Sequence, residues 1–227
     1  NLIRNSSAQN STLDYWQIIN NGGDGWTVFG NSGVDNTPCF ATSYEWDIKS
    51  QTIDLLALGY STALLDNAPT VLYSDRYMGE GNGSTYSDYY ELTVELRDGS
   101  GGILASYTSG TVTCTDQWQT IKGAFRNYGP GLRYIYFEHG GRDNGNWAGY
   151  YGAKMDDAWL SIVNNMYYSD AGTMSLSGWQ VTMNGGDGWL VDGCFRTSYI
   201  SDIKHQTIDL VELGYTPEEL DSQPYIH

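Results

Sequence analysis

A stretch near the start of the chain returns near its end. Trp16-Gln17 and Gly22-Gly23-Asp24-Gly25-Trp26 reappear as Trp179-Gln180 and Gly185-Gly186-Asp187-Gly188-Trp189. Cys39-Phe40, Thr42-Ser43-Tyr44, Asp47-Ile48-Lys49 and Gln51-Thr52-Ile53-Asp54-Leu55 return as Cys194-Phe195, Thr197-Ser198-Tyr199, Asp202-Ile203-Lys204 and Gln206-Thr207-Ile208-Asp209-Leu210. Trp179 stands 163 positions after Trp16 but Cys194 only 155 after Cys39, so one segment of the second copy is shorter by 8 residues. A length change confined to one segment marks an exposed loop. A period near 160 residues is too long for a solenoid unit and fits a whole domain. The chain therefore reads as a complete domain over 1–163 and a partial second copy over 164–227.

The second copy has no counterparts of Tyr90 to Leu96 or of Leu132 to Val163. Without them Trp179, Trp189, Ile208 and Leu210 would face water, at roughly 1.5–3 kcal/mol for each side chain. The expectation is that another chain, or a segment outside residues 1–227, completes residues 164–227.

Within the first copy, short segments alternate with period two, as half-buried strands do. Tyr90 to Leu96 places Leu92, Val94 and Leu96 on one face, and Leu132 to Glu138 and Ala158 to Val163 read as further strands. Turn signals separate them at Asp98 to Gly102, Tyr128 to Gly131 and Gly140 to Gly145. Ser61 can cap one helical turn over 62–66, and Thr216-Pro217-Glu218-Glu219-Leu220 offers an equivalent turn in the second copy. Strands at regular spacing among abundant Gly, Tyr, Trp and Thr predict an all-β jelly-roll sandwich.

Lys plus Arg total 11 against 27 Asp plus Glu, a formal charge of −16 that repels phosphate backbones and anionic membranes, so nucleic acid is excluded as a partner. No run of about 18 apolar residues exists to insert in a membrane. Cys39, Cys114 and Cys194 lack the CxxC spacing of zinc or redox sites. Because Cys39 and Cys194 are equivalent in the repeat, Cys114 is the natural disulfide partner of Cys39, the alternative being buried thiols. Sequons at Asn5, Asn10 and Asn82 are candidate glycosylation sites. Together these features point to a secreted, extracellular chain whose signal has been removed, with a cytoplasmic one as the alternative.

Several of these segments occur together in one known family. The Gly22 to Trp26 loop, Ala41 to Trp46, Gln51 to Leu55 with Gly59-Tyr60, Tyr90 to Val94, Asn127 to Gly131, and Phe137 to Gly141 with Trp147 and Tyr151 to Lys154 closely resemble the F-box-associated (FBA) domain. That family forms the sugar-recognising half of F-box proteins, ubiquitin-ligase adaptors that target N-glycosylated clients, and occurs in the nonspecific cytotoxic cell receptor protein. The resemblance implies a carbohydrate-binding-module-like sandwich that binds glycans or glycoproteins through loops at one end. No F-box precedes the repeat within residues 1–227, so an adaptor role is not expected of the chain as it stands.

The family's glycan-reading members carry a Tyr-Trp-Lys triplet and an aromatic from an earlier loop. Here the triplet positions hold Asn146, Trp147 and Ala148, and the aromatic is Phe40, with Tyr44 second. Trp147 keeps a face that stacks on a sugar ring, and Asn146 keeps an amide donor and acceptor. The lost lysine alters specificity. Trp16, Trp26, Trp46, Trp118 and Trp159 lie in or beside strand patterns and read as core, whereas Trp147 sits in a Gly- and Asn-rich loop.

Catalysis finds no support. Glu138-His139 and Asp156-Asp157 are strand neighbours whose side chains diverge, and His139 reads as stabilising a tight Gly140-Gly141 turn. Acidic residues such as Asp75, Glu80, Asp88 and Asp143 lack a calcium-loop spacing and read as solvated charge, so no metal or cofactor is expected. The leading reading is non-catalytic carbohydrate binding by tandem FBA-like modules, linked for avidity. The alternative is a structural, assembly or storage protein that keeps the fold with a degraded sugar site.

Overall fold

The computed structural model describes residues 1–79, 88–163, 180–184, 190–191, 195–196 and 202–205. The chain divides into two compact units, Asn1–Val163 and Asn164–His227.

The first unit runs β1 (Gln17–Asn21), β2 (Thr27–Phe29), β3 (Cys39–Ala41), β4 (Asp47–Asp54), α1 (Thr62–Asp66), β5 (Thr70–Met78), β6 (Tyr89–Arg97), β7 (Ile103–Thr108), β8 (Val112–Thr113), β9 (Gln119–Phe125), β10 (Tyr134–Arg142) and β11 (Lys154–Val163). One sheet has the order β1-β4-β10-β6-β7, with β8 also on β6, and the other β2-β3-β11-β5-β9. Every described ladder is antiparallel. This is a jelly-roll β-sandwich.

Alternation decides which face is buried. In β6 the inward set is Tyr90, Leu92, Val94 and Leu96; Ile135 and Phe137 of β10 stand beside it, and Val71 and Tyr73 of β5 and Leu160 of β11 come from the facing sheet. In β11 the register shifts between Asp156 and Trp159, and Asp157 takes a φ of 52°. This bulge re-aims the alternation so that both Met155 and Leu160 reach the core. The helical turn forms as its cap predicts: Ser61 accepts the Leu64 amide at 3.2 Å, and Leu64 and Leu65 are buried.

Two expectations are corrected by the strands. Gly140 and Gly141 do not turn the chain; β10 continues through them to Arg142. A Cβ on Gly140 would lie 2.3 Å from the Asp47 carbonyl oxygen, so glycine here permits close approach of β4. The Cys39–Cys114 disulfide is not formed. Cys39 is in β3 of one sheet and Cys114 follows β8 on the other, both buried, and burial pushes the Cys114 thiol up to about 12.

In the second unit β12 (Gln180–Asn184) pairs with β15 (Asp202–His205), and β13 (Leu190–Val191) with β14 (Phe195–Arg196). Gln180↔His205 and Val181↔Lys204 are followed, after a bulge, by Met183↔Ile203 and Asn184↔Asp202. The first copy has Gln17↔Ser50 and Ile18↔Lys49 and, after a bulge at the same place, Asn20↔Ile48 and Asn21↔Asp47. Val191↔Phe195 likewise reproduces Val28↔Phe40. The repeat in sequence is thus a repeat in register. The 216–220 turn, Cys194 and the completion of residues 164–227 lie outside the described residues, as do Glu80 and Asn82.

Candidate functional site: the loop end of the sandwich

Three loops meet where β4 begins and β10 ends. The first, 22–25, needs glycine because Gly23 and Gly25 have φ of +55° and +78°, and a Cβ on Gly23 would lie 2.6 Å from Ser43 Oγ. The second, 42–46, is fixed by the Ser43 hydroxyl donating to the Gly22 carbonyl at 2.8 Å and the Ser43 amide donating to Asp47 at 2.7 Å. The third, 143–152, is tied to the second by the Asp143 amide donating to the Ser43 carbonyl at 2.8 Å and Gly152 to Thr42 at 3.1 Å.

Carboxylates organise the third loop from within. Asp143, buried, accepts the amides of Gly145 at 2.6 Å and Asn146 at 2.9 Å. Asp24 accepts the Gly149 amide at 2.7 Å, and the Asp24 carbonyl accepts the Tyr150 hydroxyl at 3.3 Å. Between these fixed points Trp147 stands 85% exposed, the most exposed of the large apolar side chains among the described residues, with Tyr151 43% exposed nearby in the chain. A loop pinned at both ends therefore presents an indole to solvent, the reverse of what burial of a Trp favours.

Asn146 and Ala148 flank Trp147 and are exposed, and Tyr44 is half-buried in the second loop. Phe40 does not join them. It is fully buried in β3, edge-on to Trp16 and Trp26, and offers no face to a ligand. The reason is alternation: Phe40 faces the core, and its pairing with Met155 seats it in the sheet and not in a loop. Asp24 and Tyr151 were not singled out as site residues in the sequence; the recurrence of Asp24 as Asp187 is the signal that marks it.

Below the loop end lies a buried polar chain. Tyr90 donates to Asp75 Oδ2 at 2.5 Å, Asp75 Oδ2 meets His139 Nδ1 at 2.6 Å, and His139 Nε2 meets Lys49 Nζ at 2.5 Å. A carboxylate oxygen only accepts, so Nδ1 carries the hydrogen toward Asp75 and Nε2 is left to accept from Lys49. Burial holds His139 down at about 4 and pulls Lys49 below the usual lysine range, opposed in both by Asp75. Asp75, Asp88 and Asp143 are buried and not solvated as expected: Asp75 Oδ2 accepts from Tyr90 and His139, and Asp143 accepts the Gly145 and Asn146 amides, so these donors stand in for water. His139 points inward and Glu138 outward, and Asp156 is buried while Asp157 is exposed, so neither pair converges.

Asp47 provides a pH test. Burial raises it from 3.8 to about 6, against the Ser43 hydrogen bonds. A carboxyl with a raised folded pKa contributes stability below the unfolded value, and that contribution is lost as pH climbs through the folded one. His139, held down, contributes in the opposite sense over about 4 to 6.5. The two offset each other in the parent. The difference between Asp47→Asn and the parent isolates Asp47: it should move in the variant's favour by about 2 kcal/mol between pH 4 and 6. Urea titrations across that range check it; a difference independent of pH contradicts the assignment.

The fold is a jelly-roll sandwich that holds an exposed aromatic out on loops at one end. Residues 1–163 match the family model described as F-box associated region, and the chain belongs to that family. It is 38% identical over 173 residues to F-box only protein 2 of Bos taurus, covering 70% of this chain and 57% of that protein. To F-box only protein 6 of Homo sapiens it is 34% identical over 192 residues, covering 78% of this chain and 64% of that protein. The chain thus spans less than two thirds of either relative. Among solved structures, the enzymatically active domain of bacteriophage CBA120 tailspike protein 4 superposes with a TM-score of 0.52 at 11% identity, covering 72% of this chain and 21% of that one, a likeness of fold.

These relatives overturn the expectation of a secreted chain, since they carry the name of F-box proteins. Asn5, one expected glycan acceptor, is buried, with its amide donating to the Thr12 and Asp14 carbonyls. Asn10 is exposed, but a sequon alone does not make a glycoprotein.

Proposed function

We propose that residues 1–163 form a non-catalytic carbohydrate-binding domain that takes a glycan, the N-glycan of a glycoprotein in particular, on the loop end. The observation that carries this reading is Trp147, exposed on a loop held by Asp24 and Asp143. An indole on a loop held at both ends loses little entropy on stacking against the apolar face of a sugar, while the exposed Asn146 side-chain amide offers a donor and an acceptor to hydroxyls. Tyr44 supplies a second aromatic from the neighbouring loop. Family membership supports the same reading. The second copy, with its matching register, supports a tandem arrangement of the module, although residues 164–227 hold no counterpart of Trp147.

Binding of the full chain to a glycan array tests this. Trp147→Ala should lower the signal on bound glycans roughly 10- to 100-fold, the loss of about 1.5–3 kcal/mol of aromatic contact, with an unchanged melting midpoint because the side chain is exposed. Equal binding by parent and variant would contradict the assignment. A second reading, assembly, is favoured by edge strand β1, whose five residues are all exposed and include Ile18 and Ile19. Concentration-dependent sedimentation with no glycan signal would favour that reading.

A further inference from the structure

Lys49 is fully buried, yet lysine normally threads its ammonium out to water. Here the ammonium sits 3.7 Å from the ring centre of Phe40, 4.2 Å from that of Trp26 and 4.3 Å from that of Trp16. Three aromatic faces around one cation form a desolvated site in which each ring attracts the charge. Trp16 stacks in turn on His139 at 4.6 Å, closing the box on the side where His139 accepts from Lys49. A merely filled core would use Met or Leu, without the cost of burying a charge.

The box connects to the loop end through the chain itself. Trp26 ends the 22–25 loop, whose Asp24 holds Gly149 beside Trp147. Lys49 lies two residues into β4, which springs from the 42–46 loop, and His139 lies on β10, which leads into 143–152. All three loops are thus rooted in strands or residues that the ammonium touches directly or through His139.

We propose that Trp16, Trp26 and Phe40 build an alkylammonium site which the domain fills with its own Lys49, and that Lys49 is thereby a positioning residue for the loop end. The proposal rests on reading that end as the binding surface. The same four residue types recur in the second copy as Trp179, Trp189, Phe195 and Lys204. Lys204 pairs with Val181 as Lys49 does with Ile18.

The test is chemical rescue in the full chain. Lys49→Ala empties the site and should lower the melting midpoint by about 10 °C. n-Butylammonium at millimolar concentration should restore most of that loss, and n-butanol, of the same shape without the charge, should restore much less. In ¹⁵N spectra the amides of Asn146 and Gly149 should shift in the variant and return with butylammonium. Equal rescue by butanol, or loop amides that stay at their parent positions while stability falls, would overturn the proposal. Should Lys49→Ala not fold, Lys49→Met keeps the bulk and removes the charge; displaced loop amides are then expected, and a parent-like loop spectrum overturns it. None of these readouts uses sugar, so failure to bind glycan and failure of the coupling between Lys49 and the loops are told apart.

Discussion

Asp75→Ala is expected to cost about 3–5 kcal/mol, the penalty of leaving two buried hydrogen-bond donors without their acceptor. The loss has named components. Asp75 is fully buried and its Oδ2 receives both the Tyr90 hydroxyl and His139 Nδ1. Removing it orphans two buried donors and takes away the carboxylate whose charge opposes the burial of Lys49. Truncation also opens a small cavity between the sheets. For a domain of this size the melting midpoint should fall by about 10–15 °C. Asp75→Asn keeps an acceptor and should cost less. Thermal and urea unfolding would check both, and a penalty below about 1 kcal/mol for the alanine variant would mean that the chain from Tyr90 to Lys49 carries no net interaction.

Gly140→Val should be at least as damaging. Any Cβ at position 140 would stand 2.3 Å from the Asp47 carbonyl oxygen and 3.0 Å from Ile48 Cα, both backbone atoms of the paired strand. Backbone cannot step aside without breaking the ladder from Tyr134↔Asp54 to Gly141↔Asp47. Roughly 3 kcal/mol or more is expected, with loss of soluble protein. Gly99→Ala is the control, since its Cβ would meet only Arg133 Cγ at 3.6 Å, and its stability should stay within about 0.5 kcal/mol of the parent. Equal stability of the Gly140 and Gly99 variants would contradict the packing described for β4 and β10.

These two positions also mark where sequence reading reaches its limit. Alternation located β6 because Leu92, Val94 and Leu96 bury one face and the other stays wet. The same logic set the strand at 132–138 too early: Leu132 is buried in the connection before β10, and the strand runs through Gly140 and Gly141. A glycine pair reads as a turn locally, and only the neighbouring backbone reveals that it serves close approach. Lys49 was legible as a repeated residue but not as a core one, because its burial depends on Trp16, Trp26, Phe40 and His139 converging from separate segments. Phe40 was assigned to the site as the family's aromatic from an earlier loop, although β3 turns it inward. Trp147 was legible for the opposite reason. With Gly145 and Gly149 around it and no alternation, nothing in the sequence could bury it, and it is exposed.

The central claim is that the pinned loop end takes a glycan. Titration of the ¹⁵N-labelled full chain with a glycan that binds on the array should move the amides of Asn146, Ala148 and Gly149 and the Trp147 indole resonance, saturably and together. The amides of β7, at the far edge of the first sheet, should stay in place. Saturable shifts elsewhere with a silent Trp147, or no shifts at glycan concentrations that saturate weak lectins, would contradict it.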